Sequence, residues 1–399
     1  MEKYVLGNAA PFVQKLKRLA LILIVIGAIG SVAGIILNYS HFMLSYLVAV
    51  MVVGGISVTA LFFVMVQFLT RAGWSVLIRR VPEFLSAFTP FLIFAFLPIL
   101  FDAWVTHSIF EWTHKEVVMQ DHVLQSKAPY LNEVFFTVRT LIYVLAWFWM
   151  YRVIIGNSLR QDETTDIAPT LTNFKRSGPF VVLYGLTLTF AAFDYLMSLQ
   201  PHWYSTIFGV YFFAGSFVAT IALITIFVVL LKEGGYLPGV TVEHYHNLGK
   251  YLFAFTVFWT YIAFSQYFLI WYGNIPEEIL FYLRRYEPGW IVVSWALLFV
   301  HFIIPFVLLL PQKSKRNPKM LLFVSAMILV IHYFEMHWVA VAAHHKTFTF
   351  GYEEIAAIAL LGGIFLWIVA RQFAKHSLVP VQDPFLEESK EAVSWGNAS

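Results

Sequence analysis

Stretches of about twenty apolar residues recur along the chain between short polar segments, and a helix of that length crosses a bilayer core. They fall near 19–37, 42–69, 82–104, 131–151, 178–199, 207–231, 248–271, 289–310, 320–342 and 353–373. The pattern predicts an all-α integral membrane protein of about ten transmembrane helices in residues 1–373, followed by a polar tail over 374–399. Short segments of alternating polarity, which a membrane β-barrel would show, are not visible. Lys15, Lys17 and Arg18 precede the run from Leu19 to Leu37, and no small-residue cleavage site follows it. That run therefore reads as a permanent first span rather than a removed signal.

The basic residues orient the spans. With the N-terminus inside, twenty Lys and Arg fall on inner segments, among them Lys3, Arg79, Arg80, Lys313 and Lys390. Five fall outside (Lys115, Lys127, Arg284, Arg285 and Lys346), and Arg139, within a span, completes the 26. This bias predicts both termini on the cytoplasmic side, because cytoplasmic loops are the ones enriched in Lys and Arg. The outer loop 105–130 carries His107, His114 and His122, and the segment 272–288 reads as a short amphipathic helix on the outer surface. Pro276 suits its start and Pro288 its end. The tail is expected to lie along partner subunits or the membrane surface.

Composition narrows the chemistry. The 399 residues are 60% hydrophobic and 12% charged, with 40 Phe, whereas soluble domains are about half apolar and a quarter charged. There are no cysteines, which excludes disulfides, thiolate zinc sites, protein-ligated iron–sulfur clusters and covalently attached haem c. A redox centre held by this chain alone would have to be a bis-histidine haem or a bound quinone. No phosphate-binding loop appears, so ATP-driven transport by this chain alone is not expected. Membrane lipids are the surroundings this pattern demands, and nucleic acid is not an expected partner.

A charge in hydrocarbon costs on the order of 3 kcal/mol, so the ionisable residues inside spans need reasons. Asp194 lies roughly 8 Å below the outer boundary of the fifth span and Arg139 roughly 12 Å below that of the fourth, at 1.5 Å per residue. They can pair across adjacent helices, either as a structural lock or as a proton-exchanging carboxylate tuned by the arginine. His301 and His332 sit near the middle of the eighth and ninth spans, and Glu335 shares a helical face with His332. These three fit a proton relay or a polar cluster that fixes packing, and the two histidines alone could be the axial ligands of a haem b. His337 points to a different face. Asp102, His107 and Glu111 read as outer-surface groups where the third span emerges.

The stretch from Phe193 to Phe217, FDYLMSLQPHWYSTIFGVYFFAGSF, resembles the F subunit of alternative complex III, a bacterial quinol:cytochrome c oxidoreductase, among the polysulfide-reductase-type membrane subunits. The likeness extends to the ten-span layout, the basic lead-in and the amphipathic segment before the eighth span. The resemblance implies two four-helix bundles, spans two to five and six to nine, with the first and tenth outside them. It implies a bacterial cytoplasmic (inner) membrane protein that anchors soluble subunits and conducts protons, with no metal or cofactor of its own beyond a menaquinone contact. Haem c and iron–sulfur clusters belong to partner chains. The implied partners are a homologous C membrane subunit, an iron–sulfur subunit, a multihaem cytochrome c and a terminal oxidase.

Within this stretch a path from Asp194 outward through His202 is expected, with Tyr195, Ser198 and Tyr204 supplying hydrogen bonds along it. Trp203, Tyr204 and Tyr211 also suit interface-belt anchors. A free-standing secondary transporter is the competing reading, although the inverted repeat common in transporters is not detected.

Overall fold

The computed structural model describes residues 9–391; Lys3 and residues 392–399 of the tail lie outside the described residues. Among the described residues, ten helices are long and apolar enough to cross a membrane: Ala10–Leu37, Tyr39–Leu69, Gly73–Thr106, Glu133–Gln161, Ala168–Leu199, Phe208–Glu233, Val242–Gly273, Trp290–Leu309, Pro318–Ala343 and Tyr352–Lys375. They are called the first to tenth spans below, and among the described residues there is no strand. The second to fifth spans pack as one bundle and the sixth to ninth as another, while the first and tenth pair with each other against the second. The protein is an all-α multi-pass membrane protein of two four-helix bundles and two peripheral helices.

Hydrophobicity all round a helix signals burial all round it, and the second and sixth spans follow that rule. Their apolar windows are 94% and 83% buried, against 22% for the first and eighth. These two helices form the shared wall between the bundles. The first span meets the tenth through small residues, which let backbones approach closely. A Cβ added at Gly27 would stand 2.3 Å from the Leu360 nitrogen, and one at Gly363 would stand 2.8 Å from that of Ile24.

The third span carries Pro82, Pro90 and Pro98, and a 3-10 stretch from Ser86 to Phe91 interrupts it. Neighbouring hydroxyls supplement its backbone hydrogen bonding, as irregular backbone at membrane depth requires. Ser57 donates to the Leu85 carbonyl at 3.1 Å and Tyr46 to that of Ala95 at 2.9 Å. A π-turn over Asp102–Thr106 ends the span, and left-handed His107 (φ 54°) turns the chain back across it.

Two features depart from the hydropathy reading. The fourth and fifth spans run well past their apolar stretches, shrinking the expected loop 152–177 to 162–167. Polar side chains join the extensions: Asn157 donates to Asn173 at 3.0 Å, and the Thr170 hydroxyl donates to Gln161 at 2.9 Å. Residues 376–391, expected along partner subunits or the membrane surface, also pack against their own chain. Asp383 pairs with Arg79, the Val381 N–H donates to Asp162 at 3.1 Å, and the Ser389 hydroxyl donates to the Trp74 carbonyl at 2.8 Å. Arg79 and Arg80, counted from the sequence among the inner-segment charges, are buried. Arg80 spans Glu83 and Asp162, each at 2.5 Å, and Ser158 donates to Glu83 at 2.6 Å. This end is called the tail end, and the opposite one, carrying residues 107–132, 200–207, 274–289 and 344–351, the loop end.

Candidate functional site

In the first bundle, Arg139 and Asp194 form a two-pronged pair. Arg139 Nε reaches Asp194 Oδ2 at 2.8 Å and Nη2 reaches Oδ1 at 2.9 Å. Tyr143, one turn beyond Arg139 and therefore on its face, donates to Oδ2 at 2.6 Å. Arg139 Nη1 donates to the Tyr130 carbonyl at 2.7 Å, and its guanidinium lies 3.8 Å from the Tyr130 ring centre and 4.4 Å from that of Phe135. Both charges are buried. Planar guanidinium against carboxylate is among the strongest side-chain pairings available.

The other residues expected along a path from Asp194 are placed differently. Tyr195 donates to Thr140 at 2.7 Å and stacks on Phe96, and Ser198 donates to the backbone carbonyl of Asp194, not to its carboxylate. His202 turns away to Asp121, 2.5 Å distant in the loop 107–132. Asp102 is not a surface group. It is fully buried, because the left-handed turn at His107 brings the hydroxyls of Thr106 and Ser108 and the N–H of Ile109 onto its carboxylate.

In the second bundle, Glu335 is fully buried and stands between two histidines. His332 Nδ1 lies 2.8 Å from Glu335 Oε2, and His301 Nδ1 lies 3.8 Å from the same oxygen. Trp259 of the seventh span donates to Oε1 at 2.5 Å and lays its ring 3.8 Å from that of His301. His301 occupies a π-helical stretch, Leu297–Ile303. Neither of its nitrogens, nor His332 Nε2, has a hydrogen-bond partner among the described residues. The sixth span makes room with a glycine: a Cβ at Gly215 would stand 2.7 Å from Glu335 Oε2 and 3.2 Å from His332 Cε1. The arrangement places one carboxylate and two titratable rings in contact, with unpartnered ring nitrogens available for proton exchange.

The motif Pro201-His202-Trp203 surfaces at the loop end and ties three segments together. Lys127 donates to the Pro201 carbonyl at 2.5 Å, His202 meets Asp121, and Trp203 donates to the Glu278 carbonyl at 3.1 Å while stacking on Phe281 at 4.1 Å. Trp203 and Tyr211 are buried and are not belt residues. The short helix Pro276–Leu283 begins at Pro276 as expected. After it, buried Arg285 donates to the Phe281 and Val339 carbonyls and sits between Phe281 and Trp338. Burial pulls its pKa down to about 9, which still leaves it charged at neutral pH. Between these loops lies a cavity of about 420 Å³, bordered by Glu111, His114, His202, Trp203, Glu277 and Arg284.

The Asp121–His202 contact supports a pH prediction. His202 first, then the N–H groups of Leu124 and Val123, hold the Asp121 carboxyl below its ordinary value of 3.8. A carboxyl whose pKa is lowered on folding stabilises the folded loop above that value and loses the contribution as pH falls through the lowered one. Hydroxyl-radical footprinting should find residues 115–127 more reactive in Asp121→Ala than in the unaltered chain at pH 7. The two should converge below about pH 3.8. An equal footprint at pH 7 would show that the contact does not hold the loop.

No protein-family model matches the chain, and no curated protein does.

Proposed function

We propose that this chain is a membrane subunit of a respiratory quinol:cytochrome c oxidoreductase of the alternative complex III type. The observation that carries the reading is the placement of the motif shared in resemblance, Pro201-His202-Trp203. It borders an open, charge-lined cavity at the end opposite the docked tail. A soluble subunit held there would meet carboxylates, histidines and Arg284 on a scaffold braced by three loops. The tail end carries most of the Lys and Arg, which argues for its facing the cytoplasm. The loop end would then face the extracytoplasmic subunits.

The division of labour follows from the two buried sites. Arg139 and Tyr143 saturate the Asp194 carboxylate, which suits a lock between the fourth and fifth spans. Glu335 is flanked by rings with unpartnered nitrogens and is the better proton carrier. The chain has no cysteine of its own, and in this reading haem c and iron–sulfur clusters sit on partner chains. Quinone is contacted together with the sister membrane subunit rather than held here as a redox centre.

The test is purification of the tagged full chain from native membranes in mild detergent. A multihaem cytochrome c and an iron–sulfur protein should accompany it, giving c-type absorption bands from partner polypeptides. A chain that is monodisperse alone and transports a solute in vesicles would overturn the reading in favour of a secondary transporter.

A further inference from the structure

At the loop end, away from both buried sites, four ligand-capable side chains from three spans converge. His41 begins the second span, Glu353 and Glu354 begin the tenth, and His337 lies in the last turns of the ninth. The ligand atoms of His41, Glu353 and Glu354 all lie within 4.8 Å of one another. His41 Nε2 is 2.8 Å from Glu354 Oε1, and His337 Nδ1 is 4.0 Å from that same oxygen. All four residues are buried. Glu354 Oε2 is occupied by the Gly351 N–H at 2.7 Å, which leaves Oε1 to face the histidines.

The state of His337 is the decisive detail. Its Nε2 lies 2.9 Å from the Thr349 carbonyl, so that nitrogen must carry the hydrogen. In neutral imidazole the other nitrogen then presents a lone pair. That nitrogen, Nδ1, is completely buried, has no hydrogen-bond partner among the described residues, and faces an anionic oxygen. Two acceptors face each other at a separation too long for a hydrogen bond. A metal ion bonded to both at about 2.0–2.1 Å would take the place of the missing hydrogen and draw the two atoms closer together. A backbone carbonyl that fixes the tautomer of a histidine is also the usual outer support of a metal-ligating imidazole. Among the described residues, no Lys or Arg forms an ion pair with Glu353 or Glu354. Among the described residues, imidazole is therefore the one kind of titratable side chain that can balance the charge of the two buried carboxylates.

We infer that His41, His337, Glu353 and Glu354 form a binding site for a redox-inert divalent cation, zinc foremost, that staples the second, ninth and tenth spans at the loop end. Two imidazoles and two carboxylates without thiolate match the borderline and hard donors that zinc accepts. Tetrahedral coordination sets neighbouring ligand atoms about 3.3 Å apart, between the 2.8 and 4.0 Å distances seen here. Small side-chain rotations therefore complete the shell. This departs from the sequence expectation that the chain holds no metal.

The test uses the full chain, solubilised from membranes, exposed to zinc chloride and then passed over a chelating resin. Elemental analysis should return one zinc per chain, and zinc should raise the thermal unfolding midpoint. Glu353→Gln is the informative variant, because Glu353's contact with Asn38 is a long one at 3.5 Å and its neutral isostere leaves packing intact. It should weaken zinc affinity by about tenfold or more in chelator competition and abolish the midpoint shift. His337→Ala should do the same. Unaltered chain with less than about a tenth of a zinc and no shift would overturn the proposal, leaving an imidazole–carboxylate cluster that shares protons only. Equal zinc in Glu353→Gln would also overturn it, by placing the metal elsewhere. Zinc content is read the same whether or not haem-bearing partners co-purify, so it tests this site separately from the respiratory assignment.

Discussion

Replacing Arg139 with alanine is expected to destabilise the first bundle by about 3–5 kcal/mol, the usual consequence of leaving one half of a buried ion pair uncompensated. Asp194 would keep only the Tyr143 hydroxyl, and the Tyr130 carbonyl would lose its donor. Folded yield and thermal midpoint in detergent would report the loss. Asp194→Asn should lower both as well, by stranding the guanidinium between the Tyr130 and Phe135 rings. The double variant Arg139→Met with Asp194→Leu should recover them, because well-packed apolar residues often replace a buried pair at no net cost. Quinol oxidation by the assembled double variant then separates lock from carrier. The lock predicts retained turnover. Recovered assembly with lost turnover would return Asp194 to the proton path.

The second large effect is expected at Gly215. An alanine there puts a methyl 2.7 Å from Glu335 Oε2 and 3.2 Å from Oε1, so the carboxylate must move off His332 or the sixth span must retreat. Overpacking of this kind costs about 1–3 kcal/mol. A displacement near 1 Å at a reacting group can slow its step by about a hundredfold. Gly215→Ala should therefore assemble with reduced stability and lose most proton-coupled turnover. Gly185→Ala is the control, since nothing lies within 4 Å of its added methyl. If the two variants behave alike, the carboxylate–histidine geometry is not what moves protons.

Much of this was legible in the chain because a bilayer imposes a length and a polarity on every span. The same pressure made the buried charges conspicuous. Arg139 and Asp194 stand out against apolar runs, and His332 and Glu335 share a face at a spacing of three, so both pairs could be named from sequence. What escaped falls into two kinds. Hydropathy reports where hydrocarbon lies, not where helical hydrogen bonds stop, so the polar ends of the fourth and fifth spans look like loop in the sequence. Clusters assembled from distant positions also give no local signal. Arg79 and Arg80 look like ordinary loop charges until Glu83, Asp162 and Asp383 are folded around them. His41 and Glu354 are more than three hundred positions apart. Asp102 was misplaced for a smaller reason: a single left-handed residue, His107, decides whether that carboxylate faces solvent or its own backbone.

The glycine seam between the first and tenth spans also sets an order of manufacture. Its two sides, Gly27 and Leu360, are separated by roughly 330 residues. At about 5–20 residues per second, the ribosome takes roughly 15–65 s to deliver the second side after the first. Throughout that interval the first span waits in lipid with its grooved face uncovered, and the Arg79 cluster waits for Asp383, which emerges later still. Completion of the fold is thus tied to synthesis of the tenth span and the segment after it. A chain released early, short of the tenth span, keeps an open groove that a membrane protease or chaperone can recognise as unfinished.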